Sequence, residues 1–212
     1  VSVTASGTHT LKTIPRASSA KASNTNLGSA TTITITRASS SFTHTLSYAF
    51  GSATGTIVSK TSSTSVSWTP ALSLASQIPK AVSGTCTITC TTYSGSTKVG
   101  SKTCTLTLSV PSSIKPTISS LSVSRVDGDV PYNWGIYVQS KSKATLTING
   151  AAGSYGSTIA SYSISGGGFS STASSFTTGF LSTSGTITFT ATVTDSRGRK
   201  SDAKTVSITV VA

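Results

Sequence analysis

Apolar residues alternate with threonine along the stretch from Gly185 to Val210. Ile187, Phe189, Ala191 and Val193 share one parity, and Thr186, Thr188, Thr190, Thr192 and Thr194 take the other. After the polar turn Asp195–Lys200, Val206, Ile208 and Val210 alternate with Thr205, Ser207 and Thr209. Side chains of a strand point to opposite faces in turn, so the pattern predicts a β-hairpin with one buried and one wet face. Threonine suits the wet face because its branched Cβ restricts χ1 to rotamers that a pleated surface accepts. A second hairpin of this kind is predicted at Thr85–Tyr93 and Lys102–Val110, about one hundred residues upstream. Two copies at that distance predict two β-modules of one kind.

The remaining strands fall into place around these hairpins. Thr32–Arg37 carries Ile33 and Ile35, and Ser41–Phe50 sets Phe42, His44, Leu46, Tyr48 and Phe50 on one face, the expected centre of the first core. Thr54–Lys60 and the pair Val66 and Trp68 follow. Within Pro70–Pro79, Leu72, Leu74, Ala75 and Ile78 approach helical spacing and predict one short helical turn bridging two sheets. Pro111 and Pro116 stiffen a connector that marks the module boundary. Beyond it, strands are expected at Thr117–Val126, at Trp134, Ile136 and Val138, at Ala144, Leu146 and Ile148, at Ile159–Ile164 and at Phe176–Phe180. Asn149-Gly150 reads as a hairpin turn, and Gly166–Ser175 as an open loop. About seven short strands per module, at intervals of about 8–12 residues, predict an all-β chain of two tandem immunoglobulin-like antiparallel β-sandwiches. The expected division is an extended lead-in and linker over 1–28, a first sandwich over 29–111 and a second over 112–212.

Composition sharpens this reading. Only 35% of the 212 residues are hydrophobic, a share compatible with disorder. A disordered segment does not hold its apolar residues in phase, so the low share points to thin sandwiches in which each strand gives half its residues to the core. Sixteen Lys and Arg oppose four acidic residues, for a net charge of +12. The basic residues are scattered, with one local cluster at Arg197, Arg199 and Lys200 on the hairpin turn, and stacking aromatics are not interleaved with them. That arrangement argues against specific nucleic-acid binding and leaves a general attraction to anionic polymers. Glutamate is absent and the first carboxylate is Asp127, so residues 1–126 cannot supply a carboxylate acid–base pair, a carboxylate metal site or an Asp-supported triad. No apolar run reaches the roughly 20 residues of a membrane span, and residues 1–20 lack the apolar core of a signal peptide. A soluble chain without membrane insertion is expected.

Chemistry-bearing residues are few. Cys86, Cys90 and Cys104 have inward parity in the first long hairpin and read as small core side chains, a cross-strand disulfide remaining the other option. His44 reads as a core histidine with one hydrogen-bond partner. No GxSxG elbow occurs, and no catalytic residue or cofactor is expected. Asp127 and Asp129 are weak candidates for a cation, set against a plain turn. Asp195 is expected to cap its turn or to pair with Arg197 or Lys200. Trp134 and Tyr137 have opposite parity, so one of the two rings should be exposed. Together with Tyr132 and the cluster Arg197, Arg199 and Lys200, they form the candidate binding set.

Several stretches resemble a family of phage minor structural proteins of unknown function from viruses of Gram-positive bacteria. They are HTLKTIPRAS at His9–Ser18, ITRASSSFTHTL at Ile35–Leu46 continuing to Gly51, ASQIP at Ala75–Pro79, TYSGS at Thr92–Ser96 and TVTDSRGR at Thr192–Arg199. The resemblance implies a non-enzymatic virion component of the tail, fibre or capsid-decoration type, exposed on the particle and outside the cell. The partners to expect are other virion proteins, in a homo-oligomer or larger assembly, and anionic or neutral host-surface glycans. A bacterial cell-surface adhesin or filament subunit of the same fold is the alternative reading. The family is usually longer, so the chain reads as a fragment or a shortened member.

Overall fold

The computed structural model describes residues 16–128 and 130–212. The first part of the expected lead-in, residues 1–15 with His9, lies outside them, as does Asp129. Among the described residues, eight strands precede the Pro111–Pro116 segment: β1 (Ser19–Ala22), β2 (Thr25–Asn26), β3 (Thr31–Thr36), β4 (Phe42–Phe50), β5 (Ala53–Thr61), β6 (Ser65–Trp68), β7 (Ser83–Ser94) and β8 (Thr97–Ser109). Eight follow it: β9 (Ser120–Asp127), β10 (Tyr137–Val138), β11 (Ser142–Asn149), β12 (Ile159–Gly166), β13 (Phe169–Ser171), β14 (Ser175–Thr177), β15 (Gly185–Asp195) and β16 (Lys204–Val211). The two sets are laid out alike. In each, the first, third and sixth strands make a small sheet, β1-β3-β6 and β9-β11-β14. The second, eighth, seventh, fourth and fifth make a larger one, β2-β8-β7-β4-β5 and β10-β16-β15-β12-β13. The chain is an all-β protein of two immunoglobulin-like sandwiches.

By contact, one compact unit gathers the described residues up to Thr25 with Ser29–Pro70 and Thr85–Leu108. The other gathers Asn26–Gly28, Ala71–Gly84 and Ser109–Ala212. In the first unit Phe42, His44, Leu46 and Phe50 of β4 are buried, and Tyr48 stacks on Trp68 with ring centroids 5.1 Å apart. The stretch expected to be lead-in and linker, residues 1–28, contains β1 and β2. β1 pairs with β3 from Ser19↔Thr36 to Ala22↔Ile33. Short edge strands built of Ser, Ala and Lys carry no hydrophobic signature, which is also how natural sheets blunt their edges.

His44 sits in that core with Nε2 2.8 Å from the Ser18 hydroxyl, and the Ser18 N–H donates to Thr92 Oγ1 at 2.9 Å. Its Nδ1 is buried without a hydrogen-bond partner. Burial draws the imidazole below its ordinary 6.5, and the Arg37 charge adds to the shift. Above pH 6.5 the ring is neutral in both the folded and unfolded states. As pH falls through 6.5 the unfolded chain binds a proton that the folded one refuses, so stability drops until the folded pKa is passed and then levels off. Denaturation midpoints should therefore decline below pH 6.5 in the wild type and decline less in His44→Gln, as thermal melts across pH will read.

Cys86 and Cys90 are buried, Cys104 is partly exposed, and all three are free thiols. Burial pushes the Cys86 and Cys90 thiols up to about 11, with Cys104 contributing to both shifts. Thiolate is the reactive form, so neither should react with an aromatic disulfide reagent at neutral pH in the folded protein. All three should react after denaturation; fast native labelling of Cys86 or Cys90 would contradict the placement.

The second unit's core is made by Leu121 of β9, Ala144, Leu146 and Ile148 of β11, Ile164 of β12, Ile187, Phe189, Ala191 and Val193 of β15, and Ile208 and Val210 of β16. The closing hairpin follows the alternation, with Ile187 opposite Ile208 and Phe189 opposite Val206. Two expectations fail here, and a third, the short helical turn, is met. Asn149-Gly150 is a turn but not a hairpin, since β11 and β12 lie in different sheets; the Asn149 amide donates instead to Ser120 and Ser122 hydroxyls. Gly166–Gly168 makes a tight β12–β13 turn rather than an open loop, and strands β13 and β14 occupy much of the stretch after it. The helical turn is a 3-10 helix, Leu72–Gln77, which groups with the second unit.

Candidate functional site

The second unit offers two places where polar and aromatic side chains converge. The first grows out of β9, whose residues Leu121, Val123 and Arg125 face Ile148, Leu146 and Ala144 of β11. Arg125 thus extends the inward row of an edge strand. Its guanidinium turns to the chain that follows, Nη1 donating to the Ile136 carbonyl at 2.5 Å and Nη2 to the Tyr132 carbonyl at 2.7 Å. These two bonds bracket a single 3-10 turn, Tyr132–Trp134. Gly135 ends it in the left-handed region at φ 65°, a conformation that costs glycine little. β10 then pairs in parallel with β16, Tyr137 opposite Val210.

The sequence pattern placed Trp134, Ile136 and Val138 on a strand; the left-handed Gly135 interrupts it, and the strand begins at Tyr137. As a result Tyr132 is 90% exposed, Trp134 58% and Ile136 40%, whereas Tyr137 is half-buried against the core. The Arg125 guanidinium lies 5.9 Å from the Tyr132 ring centroid, within cation–π range. Ser124, Arg125, Tyr132, Asn133, Gly135 and Tyr137 line an open cleft of about 580 Å³. Arg125, the residue that organises this cleft, was missed by the sequence reading, although an arginine continuing the parity of Leu121 and Val123 is a readable signal.

The second place is the turn Asp195–Lys200. Asp195 Oδ1 accepts the backbone N–H groups of Arg197 at 3.0 Å and Arg199 at 2.9 Å, and Gly198 supplies the φ of 80° that the turn requires. Asp195 is thus a turn cap. Arg197 is buried and donates to four carbonyls: Nε to Ile78 at 3.1 Å, Nη1 to Ser154 at 2.7 Å, and Nη2 to Ala75 at 2.8 Å and Tyr155 at 2.7 Å. Burial lowers its pKa and Asp195 opposes the shift. Arg199 donates to the carbonyls of Val110, Pro111 and Ile114, so the proline-bearing connector is clasped rather than free. Arg197 and Arg199 therefore leave the candidate binding set, because their donors are engaged by backbone. Lys200 is exposed on the same turn.

Of the candidate cation turn, Asp129 and the Asp127 side chain lie outside the described residues. Among the described residues no three His, Cys, Asp or Glu side chains converge as metal ligands. Among the described residues no helix is long and apolar enough to cross a membrane.

A family profile described as Siphovirus protein of unknown function (DUF859) matches residues 2–212. The chain belongs to this siphovirus family. DUF859 membership bears out the resemblance carried by the TIPRAS, RASSSFTHTL and TDSRGR stretches. Among solved structures this DUF859 chain is similar to the fibronectin(III)-like modules of Clostridium thermocellum CbhA, at 15% identity and a TM-score of 0.34, over 91% of this chain and 93% of that one. No curated protein matches it.

Proposed function

We propose that this siphovirus protein is a non-enzymatic structural component of the virion, of the tail, fibre or decoration type, whose sandwiches face the host and contact its surface glycans. The exposed Tyr132–Trp134 turn beside the Arg125 cleft carries this reading. Large rings held in solvent by a stiff scaffold are costly to a monomer and useful to a binder. The net charge of +12 supports it by drawing the particle toward an anionic envelope before any specific contact forms. Other virion proteins would anchor the chain, as a homo-oligomer or as part of a larger assembly. Immunogold electron microscopy of intact virions should label an exposed tail or capsid feature, and the purified protein should sediment with host cell walls. Unlabelled particles and unbound protein would together overturn the proposal.

A further inference from the structure

We infer that the Tyr132–Tyr137 cleft is the glycan site and that its ligand is a neutral pyranose, held by ring stacking rather than by charge. This rests on the reading of the protein as a host-glycan binder. The argument is one of complementarity. A pyranose has an apolar face of C–H groups edged by hydroxyls, so it asks for an aromatic plane flanked by neutral polar groups. Tyr132 offers such a plane at the cleft and Trp134 a second on the same turn, both in solvent. The Ser124 hydroxyl and Asn133 amide lie along the lining and can donate to or accept from sugar hydroxyls.

An anionic wall polymer would need a cation turned outward. The cleft's cation is Arg125, and its guanidinium is engaged by the Tyr132 and Ile136 carbonyls. It acts as a positioning residue: by fixing both ends of the turn, it sets the Tyr132 ring and reduces the ordering cost of binding. The basic surface and the cleft thus divide the work, long-range attraction on one side and recognition of an uncharged sugar on the other.

The test follows the indole N–H signals of the intact protein, which has two tryptophans, with Trp134 assigned through Trp134→Phe. The probes are a panel of neutral hexose and N-acetylhexosamine oligosaccharides and, separately, poly(glycerol phosphate). The inference expects a neutral oligosaccharide to shift the Trp134 signal and leave that of Trp68 in place, with little dependence on salt. Tyr132→Ala, a change at an exposed position that should leave the melting temperature unaltered, should weaken this binding by on the order of tenfold or more. If poly(glycerol phosphate) alone binds and salt releases it, the neutral-sugar inference falls while the host-glycan reading stands. If walls bind the wild type and Tyr132→Ala equally, the cleft is not the site. A shift of Trp134 by envelope protein and by no sugar would likewise overturn it. Failure to bind walls or any glycan would remove both the inference and the reading beneath it.

Discussion

Arg197→Ala should destabilise the second unit by about 3–5 kcal/mol, as expected when a buried hydrogen-bond network loses its shared donor. Its side chain is buried and engages four backbone carbonyls, from Ala75, Ile78, Ser154 and Tyr155. Truncation leaves those acceptors without their donor, and each buried unpaired group costs about 1–3 kcal/mol unless water reaches it. Asp195 is buried beside it, with Oδ2 lacking a hydrogen-bond partner, and would lose its neighbouring positive charge. Arg197→Lys should restore little, because one ammonium cannot spread its donors across acceptors that a planar fork reaches together. With domain stabilities of about 5–15 kcal/mol, the alanine variant should melt more than about 10 °C lower by calorimetry. A shift of a degree or two would show that the clasp is dispensable.

Phe189→Ala should be comparably severe. Its ring is fully buried in β15 among Leu146, Ile164 and Ala191, and it is among the largest side chains with no solvent contact. Emptying that volume in a thin two-layer core costs about 3–5 kcal/mol, the lost transfer energy plus the cavity left behind. Phe189→Leu, which keeps most of the volume, should cost less than about 1.5 kcal/mol. The contrast separates packing from a general intolerance of change at the position: urea midpoints for the two should differ by more than half of the alanine effect.

Alternation carried most of the fold because an edge-on view of a half-buried strand is written directly into residue order. β3, β4, β15 and β16 lie within a residue or two of where the threonine pattern places them. The pattern failed where backbone, rather than burial, decides. Trp134 and Ile136 keep strand parity, yet the left-handed Gly135 between them breaks the strand and both side chains are exposed. Asn149-Gly150 has the chemistry of a hairpin, but β12 leaves for the other sheet, where Ile164 joins the core. β1 and β2 were invisible because pairing by main-chain hydrogen bonds asks nothing of side chains. The candidate site was half legible. Parity anticipated that one ring of Trp134 and Tyr137 would be exposed but not which, whereas the arginines of the Asp195 turn resembled a solvent-facing patch. Their burial depends on carbonyls far away in sequence, a relation that local pattern does not encode.

The distance between those partners also governs when the fold can be completed. Arg197 reaches back 122 residues to Ala75 and 119 to Ile78, while Arg199 reaches back 85 to Ile114. A growing chain on the ribosome therefore carries the Leu72–Gln77 turn and the proline segment for several seconds or more before their fastener is synthesised. Until then these pieces stay open to proteases and to one another, and nascent chains stalled short of the last hairpin should be cleaved there first.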